Sequence, residues 1–243
     1  ICGKYNSLQD AYKSILEAFI HSGIENKTSV NVRWVDTEDL EKKGDPAKFF
    51  AGVDGILIPG GFGNRGIEGK IMSSQHAREN NIPFFGICLG LQCAIIDFAR
   101  NVCSMENANS SEFKSKLKYP IVDLMEGQKS ISSKGATMRL GKYTCNVKSG
   151  TVAYAAYNKR LINERHRHRY EVNNKYTKKL EKNGLIISGI NKKLNLVEMI
   201  EYPNHPWFLA VQFHPELKSR IVKSHPLFKD FIAAALKKKN EGK

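Results

Sequence analysis

A thiol set between two glycines is where this sequence first offers chemistry. Residues 84–92 read FFGICLGLQ, an apolar run into Gly86-Ile87-Cys88-Leu89-Gly90 with helical spacing beyond it. Glycines two residues before and after a nucleophile are the layout of an elbow, a strand-to-helix turn that lifts the side chain out of a sheet, here with Cys in place of Ser. The same turn sets the sulfur at a helix N-terminus, where the dipole and unpaired N–H groups favour thiolate. The inert alternative is a core cysteine in a tight turn; glycines on both sides of a strand–helix switch weigh against it. A thiol nucleophile needs a base, and the base needs an orienting group. His214 follows the apolar run 209–213 and opens His214-Pro215-Glu216, so a strand end carries it and Glu216 can accept from its second nitrogen. The other histidines have plainer explanations. His21 and His76 fall on helical stretches, His205 and His225 precede prolines, and His166 and His168 sit within a basic run.

A second candidate is the glycine loop 60–66, GGFGNRG. Gly61-Phe62-Gly63-Asn64-Arg65-Gly66 spells the G-x-G-x-x-G of dinucleotide sites. That chemistry needs an acidic residue at the end of the next strand to hold a ribose, and the next strand ends at Cys88. A P-loop fails too, because Asn64 stands where its first glycine belongs and Ile71 where Ser or Thr must follow Gly69-Lys70. A loop this rich in glycine can instead offer backbone N–H groups to a developing anion.

Strands must carry these residues to one edge. The runs 53–59 and 82–87 are nearly continuous apolar segments, as expected of strands covered on both faces. Helical spacing fills 67–80 and 89–101, and alternation of strands with helices predicts βαβ units and a parallel sheet. Ser7-Leu8-Gln9-Asp10 resembles a capping box before a helix that Gly23 stops; 29–35 alternates like a strand; 37–43 reads as a short helix. Residues 104–150 read as polar, glycine-rich loops around an apolar 119–124. Strands are expected at 185–191, 196–201 and 209–213, and a helix over 226–239. The expectation is a single α/β domain with a mostly parallel central sheet flanked by helices, flavodoxin-like, over 1–243.

Composition narrows the setting. The 243 residues carry a net charge of +14, concentrated in 158–193 and in Lys237-Lys238-Lys239. A solvated surface explains that charge, and no helix-turn-helix, zinc finger or RNP-like motif supports nucleic-acid binding. Five cysteines, with no C-x-x-C pair, argue against a disulfide framework and for a reducing, cytoplasmic setting. No apolar stretch is long enough to span a bilayer. The opening ICGKYNSLQD lacks the layout of a signal peptide and looks like a strand cut from a longer chain.

The elbow together with F-H-P-E resembles a class I, triad-type glutamine amidotransferase. The stretches ARNVCSMENANSSEF (99–113), GATMRLG (135–141), ERHRHRYEVN (164–173) and GGFGNRGIEGK (60–70) are similar to the glutaminase domains of the CTP synthase family. The resemblance implies Cys88 as nucleophile, His214 as general base and acid, and Glu216 as orienting group. It makes PGGFG the oxyanion loop, with the N–H groups of Gly61 and Leu89 as donors. It further implies a glutamine pocket of Gly61, Leu89, Gln92, Glu112 (for the α-amino group), Arg169 (for the α-carboxylate) and Tyr170. Thr137 and Arg139 would belong to a lid facing GTP, with Phe62 stacking on guanine. No cofactor or metal is implied within this domain. The family's synthase domain, which aminates UTP to CTP with ATP and Mg²⁺ and is activated by GTP, would lie upstream in a longer, homotetrameric chain. Two residues depart from the pattern: Cys93, where an apolar residue is expected, and Ala136 in the lid. The rival readings are another elbow-cysteine hydrolase, such as a γ-glutamyl hydrolase, and a basic nucleic-acid-binding module.

Overall fold

The computed structural model describes residues 1–4, 9–124 and 138–242. Ser7 and Leu8 of the expected capping box, and Ala136 and Thr137 of the expected lid, lie outside the described residues. The site depends on three parallel strands. β3 (Ile56–Ile58) and β4 (Phe84–Ile87) are buried throughout and pair with Ile56 opposite Phe84 and Ile58 opposite Gly86. β12 (Phe208–Val211) runs parallel to β4 on its other side, with Ala210 opposite Gly86 and Val211 opposite Ile87. All three carboxyl ends therefore open on one edge, where α/β sheets place their ligands.

Consecutive side chains of each strand feed opposite layers, which is why these runs are apolar without alternation. Phe84, Ile56 and Ile58 pack with α4 (Ile67–Glu79) and α5 (Leu89–Asn101). Phe85, Ile87, Leu57 and Leu209 pack with α1 (Lys13–Glu25) and the C-terminal helix Pro226–Glu241. Phe85 meets Phe228 edge-to-face at 5.2 Å and Trp207 at 5.5 Å. A pair of short parallel strands, β1 (Cys2–Gly3) and β2 (Val35–Asp36), lies beside β3, and two short helices, α2 (Thr37–Lys43) and α3 (Pro46–Phe49), follow β2 in the chain.

Beyond β12 the strands become antiparallel. The sheet continues through β11 (Leu196–Glu201), β10 (Ile186–Asn191), β7 (Arg139–Val147) and β8 (Leu161–His168), in the order β3-β4-β12-β11-β10-β7-β8. It curls far enough that the edge strand β8 returns to the end of β12, where the His214 N–H donates to Arg165 O at 2.8 Å. A small sheet of β5 (Asn109–Ser110), β6 (Pro120–Asp123) and β9 (Glu171–Val172) lies alongside.

The α/β architecture and the expected helices are present, and three local expectations change. Of 29–35 only Val35 enters a strand, as part of β2; residues 29–34 alternate in exposure without ladder partners. The stretch 104–150 holds β7 besides its loops. The basic run contains β8, whose arginines and histidines divide between faces: Arg165 and Arg167 point outward, while His166 and His168 are buried.

Candidate active site

Cys88 is the residue at which β4 becomes α5. Its backbone has φ 53° and ψ −98°, a conformation that costs a non-glycine residue ~1–3 kcal/mol and clusters at functional sites. Its N–H donates to Val211 O of β12 at 2.7 Å, and its carbonyl accepts from the N–H groups of Leu91 and Gln92. The flanking glycines are there for closeness. A Cβ on Gly86 would lie 2.8 Å from the Ala210 Cβ and the Gly90 carbonyl carbon, and one on Gly90 would collide with Ile58 O of β3. The sulfur accepts from Gln212 Nε2 at 3.7 Å. Gln212 is fully buried, and nothing in its sequence surroundings sets it apart from the rest of an apolar strand end.

His214 follows β12 by three residues, and its Nδ1 lies 2.7 Å from Glu216 Oε1, on the short helical turn Pro215–Lys218. Its Nε2 is buried and makes no hydrogen bond of ordinary geometry among the described residues, yet the ring is close enough to the Cys88 sulfur for the two to couple electrostatically. Burial works against the imidazolium, but the Cys88 sulfur and the Glu216 carboxylate outweigh it and raise His214 to about 11. Gly60 closes the space between them: a Cβ there would come 2.7 Å from His214 Cε1 and 3.5 Å from the Cys88 Cβ. Gly60 was not singled out from the sequence, although the doublet Gly60-Gly61 carried the signal. Gly61 packs on Leu89, whose Cδ2 lies 3.3 Å from a Cβ placed there.

Contacts link several of the other expected residues, Gln92, Tyr170 and Glu112, to one another and to the glycine loop. Gln92 is buried on α5 and its Nε2 donates to Tyr170 O at 3.3 Å. Glu112 accepts from the Gly63 N–H at 2.9 Å, which ties it to the glycine loop. Burial first, then the nearby Glu112 carboxylate, pushes the Tyr170 hydroxyl up, with Arg169 acting against them. Gln92 Oε1 and Arg169 Nε are buried and lack a hydrogen-bond partner among the described residues, an acceptor and a donor left over. Phe62 is 44% exposed, with the Arg167 guanidinium 5.9 Å from its ring centroid. Cys93 lies in the core, where burial raises its thiol to about 12.

Arg139 requires a correction. Expected as a polar member of a lid facing GTP, it is a buried residue of β7, paired to Glu171 at 3.1 Å and Glu198 at 2.8 Å. Two buried carboxyl groups accept from its guanidinium, and those bonds hold the side chain inward. A cavity of about 380 Å³ lies at the opposite edge of the sheet among Val30, Val35, Ile56, Phe231 and Leu236 and touches none of these residues. The chemistry is located by the convergence of polar groups at the strand ends.

The glutamine amidotransferase class-I family matches residues 7–234. The chain is 57% identical to a CTP synthase of Chloroherpeton thalassium over 99% of its own length and 43% of that protein's. A CTP synthase of Pelodictyon phaeoclathratiforme is also 57% identical, over 97% of this chain and 42% of the relative. The chain thus spans less than half the length of these relatives. Among solved structures, the glutaminase domain of Trypanosoma brucei CTPS with bound acivicin superposes with a TM-score of 0.91 at 40% identity, covering 97% of this chain and 92% of that one. A putative GMP synthase protein from Thermoplasma acidophilum, at 15% identity and a TM-score of 0.57, shares the fold over 94% of this chain and 88% of that one. Matched by the family over nearly its whole length and by a solved glutaminase domain over almost all of both chains, this chain belongs to the class-I glutamine amidotransferases, as a glutaminase domain of the CTP synthase kind.

Proposed function

We propose that Cys88, His214 and Glu216 hydrolyse L-glutamine through a thioester and release ammonia for a synthase reaction elsewhere in a longer chain. The observation that carries this reading is the meeting, across Gly60, of a cysteine at φ 53° with a His–Glu pair. The Cys88 thiolate attacks the δ-carbonyl carbon, and the π pair moves onto oxygen, where the Gly61 and Leu89 N–H groups hold it. Each such donor contributes on the order of 3 kcal/mol. When the adduct collapses the C–N bond breaks, and imidazolium His214 gives its proton to the departing nitrogen, which leaves as ammonia. Neutral His214 then takes a proton from water as the hydroxide forms a bond to the thioester carbon. The C–S bond breaks, glutamate departs and the thiolate returns. Glu216 holds Nδ1–H throughout, keeping Nε2 turned to the sulfur. Glu112 and Arg169 bind the α-amino and α-carboxylate groups, the latter suited to a bidentate guanidinium. Gln92 and Tyr170 complete the pocket.

The amination of UTP to CTP, with ATP and Mg²⁺, we assign to the part of the longer relatives that this chain does not span, placed upstream of Ile1 and assembled as a homotetramer. GTP is proposed as activator, with exposed Phe62 as its stacking surface beside Arg167. Five free, buried cysteines suit a cytoplasmic setting. No described helix is long and apolar enough to cross a membrane.

The test is ammonia release from glutamine, with and without GTP and a supplied synthase domain. Cys88→Ala should abolish release. In a full-length protein the same substitution should leave CTP formation from free ammonia intact; loss of both would end the assignment of a glutaminase role confined to Cys88.

A further inference from the structure

Five ionisable side chains behind the pocket take no part in the chemistry proposed at Cys88. Arg139 on β7, His166 and His168 on β8, Glu171 on β9 and Glu198 on β11 are each 5% exposed or less. In the ladder Arg139 lies opposite His168, the last residue of β8, and its Nη1 reaches Glu171, the first residue of β9. It therefore spans both ends of the two-residue turn that carries Arg169 and Tyr170. Nη2 anchors on Glu198 at 2.8 Å, and the guanidinium carbon lies 4.4 Å from the Tyr143 ring centroid.

The two imidazoles extend the same support. His168 Nδ1 is 3.2 Å from Tyr170 O, and a carbonyl can only accept, so Nδ1 carries the proton. His168 Nε2 then accepts from His166 Nδ1 at 2.9 Å, which leaves a lone pair on His166 Nε2. That nitrogen lies 3.6 Å from Glu198 Oε2, and both atoms are buried without hydrogen-bond partners among the described residues. A proton held on Glu198 replaces the repulsion between these two lone pairs with an attraction. The Tyr170 carbonyl is thus held by His168 on one side and by Gln92 Nε2 of α5 on the other.

We propose that Arg139 is a positioning residue for the substrate: with Glu198 and the His166–His168 pair it fixes the turn that presents Arg169 and Tyr170, and so sets the affinity for the amino-acid end of glutamine. This rests on the reading of Arg169 as the α-carboxylate ligand. The experiment measures inactivation of the whole chain at Cys88 by a glutamine-mimicking diazoketone, separating the inhibition constant KI from the limiting rate kinact. Iodoacetamide, which has no amino-acid end, reports the thiol alone. Arg139→Met should raise KI by about tenfold, the loss of roughly one charge-assisted contact, while kinact and the iodoacetamide rate stay within about twofold. Arg139→Lys, which cannot bridge both carboxylates, should raise KI by a smaller factor and serves if Arg139→Met does not fold. An unchanged KI in folded Arg139→Met or Arg139→Lys, or a parallel fall in the iodoacetamide rate, overturns the inference. An Arg169→Ala variant separates the two readings: if it raises KI and the Arg139 variants do not, only the positioning role fails. If Arg169→Ala leaves KI unchanged, the α-carboxylate site itself is wrong.

Discussion

Gly60 and Glu216 act on the same histidine, and each gives a distinct expectation. Alanine at 60 places a methyl group 2.7 Å from His214 Cε1, so the ring must turn or shift away from the sulfur. Misplacement of a reacting group on that scale costs ~10²-fold. Gly60→Ala should therefore lower kcat for glutamine by about that factor while circular dichroism stays that of the wild type; full activity would remove Gly60 from the site. Glu216→Gln preserves shape but withdraws the negative charge that helps hold His214 at about 11. The imidazolium pKa should fall, and with it kcat, by ~10²-fold or more, the usual worth of a positioned acid–base group. A pH–rate profile that does not move would show that Glu216 does not orient the ring. The triad was legible because its spacing is itself the chemistry: glycines around a thiol, a histidine at a strand end, a carboxylate two residues on. Gln212 was not legible, since a glutamine within an apolar strand end looks the same whether or not it reaches a sulfur.

At the level of elements, the elbow is a packing problem that the sequence solves with absent side chains. The first turn of α5 presses on β3 at Gly90 and on β4 at Gly86, where β12 also closes in through Ala210, so helix and strands approach more closely than any Cβ permits. Gly90→Ala forces a methyl group onto the backbone carbonyl of Ile58, which cannot swing aside as a flexible side chain would. Overpacking of this kind costs ~1–3 kcal/mol, and more where backbone must move. The denaturant midpoint should fall accordingly, with Gly61→Ala, whose Cβ meets only Leu89 Cδ2 at 3.3 Å, much milder. Equal stabilities for the two would refute close approach as the reason for Gly90. The elements that hold this elbow could be read from sequence because their inner faces are apolar: β3 and β4 are continuous runs, and α5 is buried almost all round. β7 and β8 escaped notice for the opposite reason. Their alternation is present, but the inward positions of β8 are Ile162, Glu164, His166 and His168, and a face that buries ionisable groups does not register as hydrophobic periodicity. The outward arginines between them made the whole stretch look like solvated charge. Residues 29–34 misled in the other direction, alternating like a strand with no ladder to join.

Across the whole molecule, the +14 surface and the buried cluster respond to pH separately. Lysines and arginines keep their charge through neutrality, so between pH 6.5 and 8 the change in stability falls to the interior. Burial, opposed by Arg139, raises Glu198 to about 7 and Glu171 to about 8. Burial lowers His166 to about 3, with Arg139 and His214 adding to it, and holds His168 well below its ordinary value. The signs follow from which state binds more protons. Above pH ~4.5 the unfolded chain ionises both carboxyls while the folded one keeps protons on them, so their effect is to reduce stability as pH rises toward 8. Below pH ~6.5 the unfolded chain protonates both histidines and the folded one does not, so their effect is to reduce stability as pH falls. Over the interval between, the two pairs oppose each other and the cluster is nearly neutral to pH. His214 adds to the upper slope: its contribution is fully present below pH ~6.5 and is lost as pH rises through 11. Glu25, held near 2 chiefly by Lys229, acts only at lower pH. The share of the thermal midpoint set by the cluster and His214 should therefore be level from about pH 5 to 6.5 and decline from 6.5 to 8, at roughly 1 kcal/mol per pH unit for each proton held. Glu171→Gln, which removes the later of the two ionisations, should flatten that decline, whereas a change in an exposed residue such as Arg167→Gln should leave it alone. A midpoint that rises across this range in the wild-type chain, or a Glu171→Gln profile parallel to it, would mean that the cluster carries its charges differently: both carboxylates ionised around Arg139, and no proton on Glu198 for His166 to share.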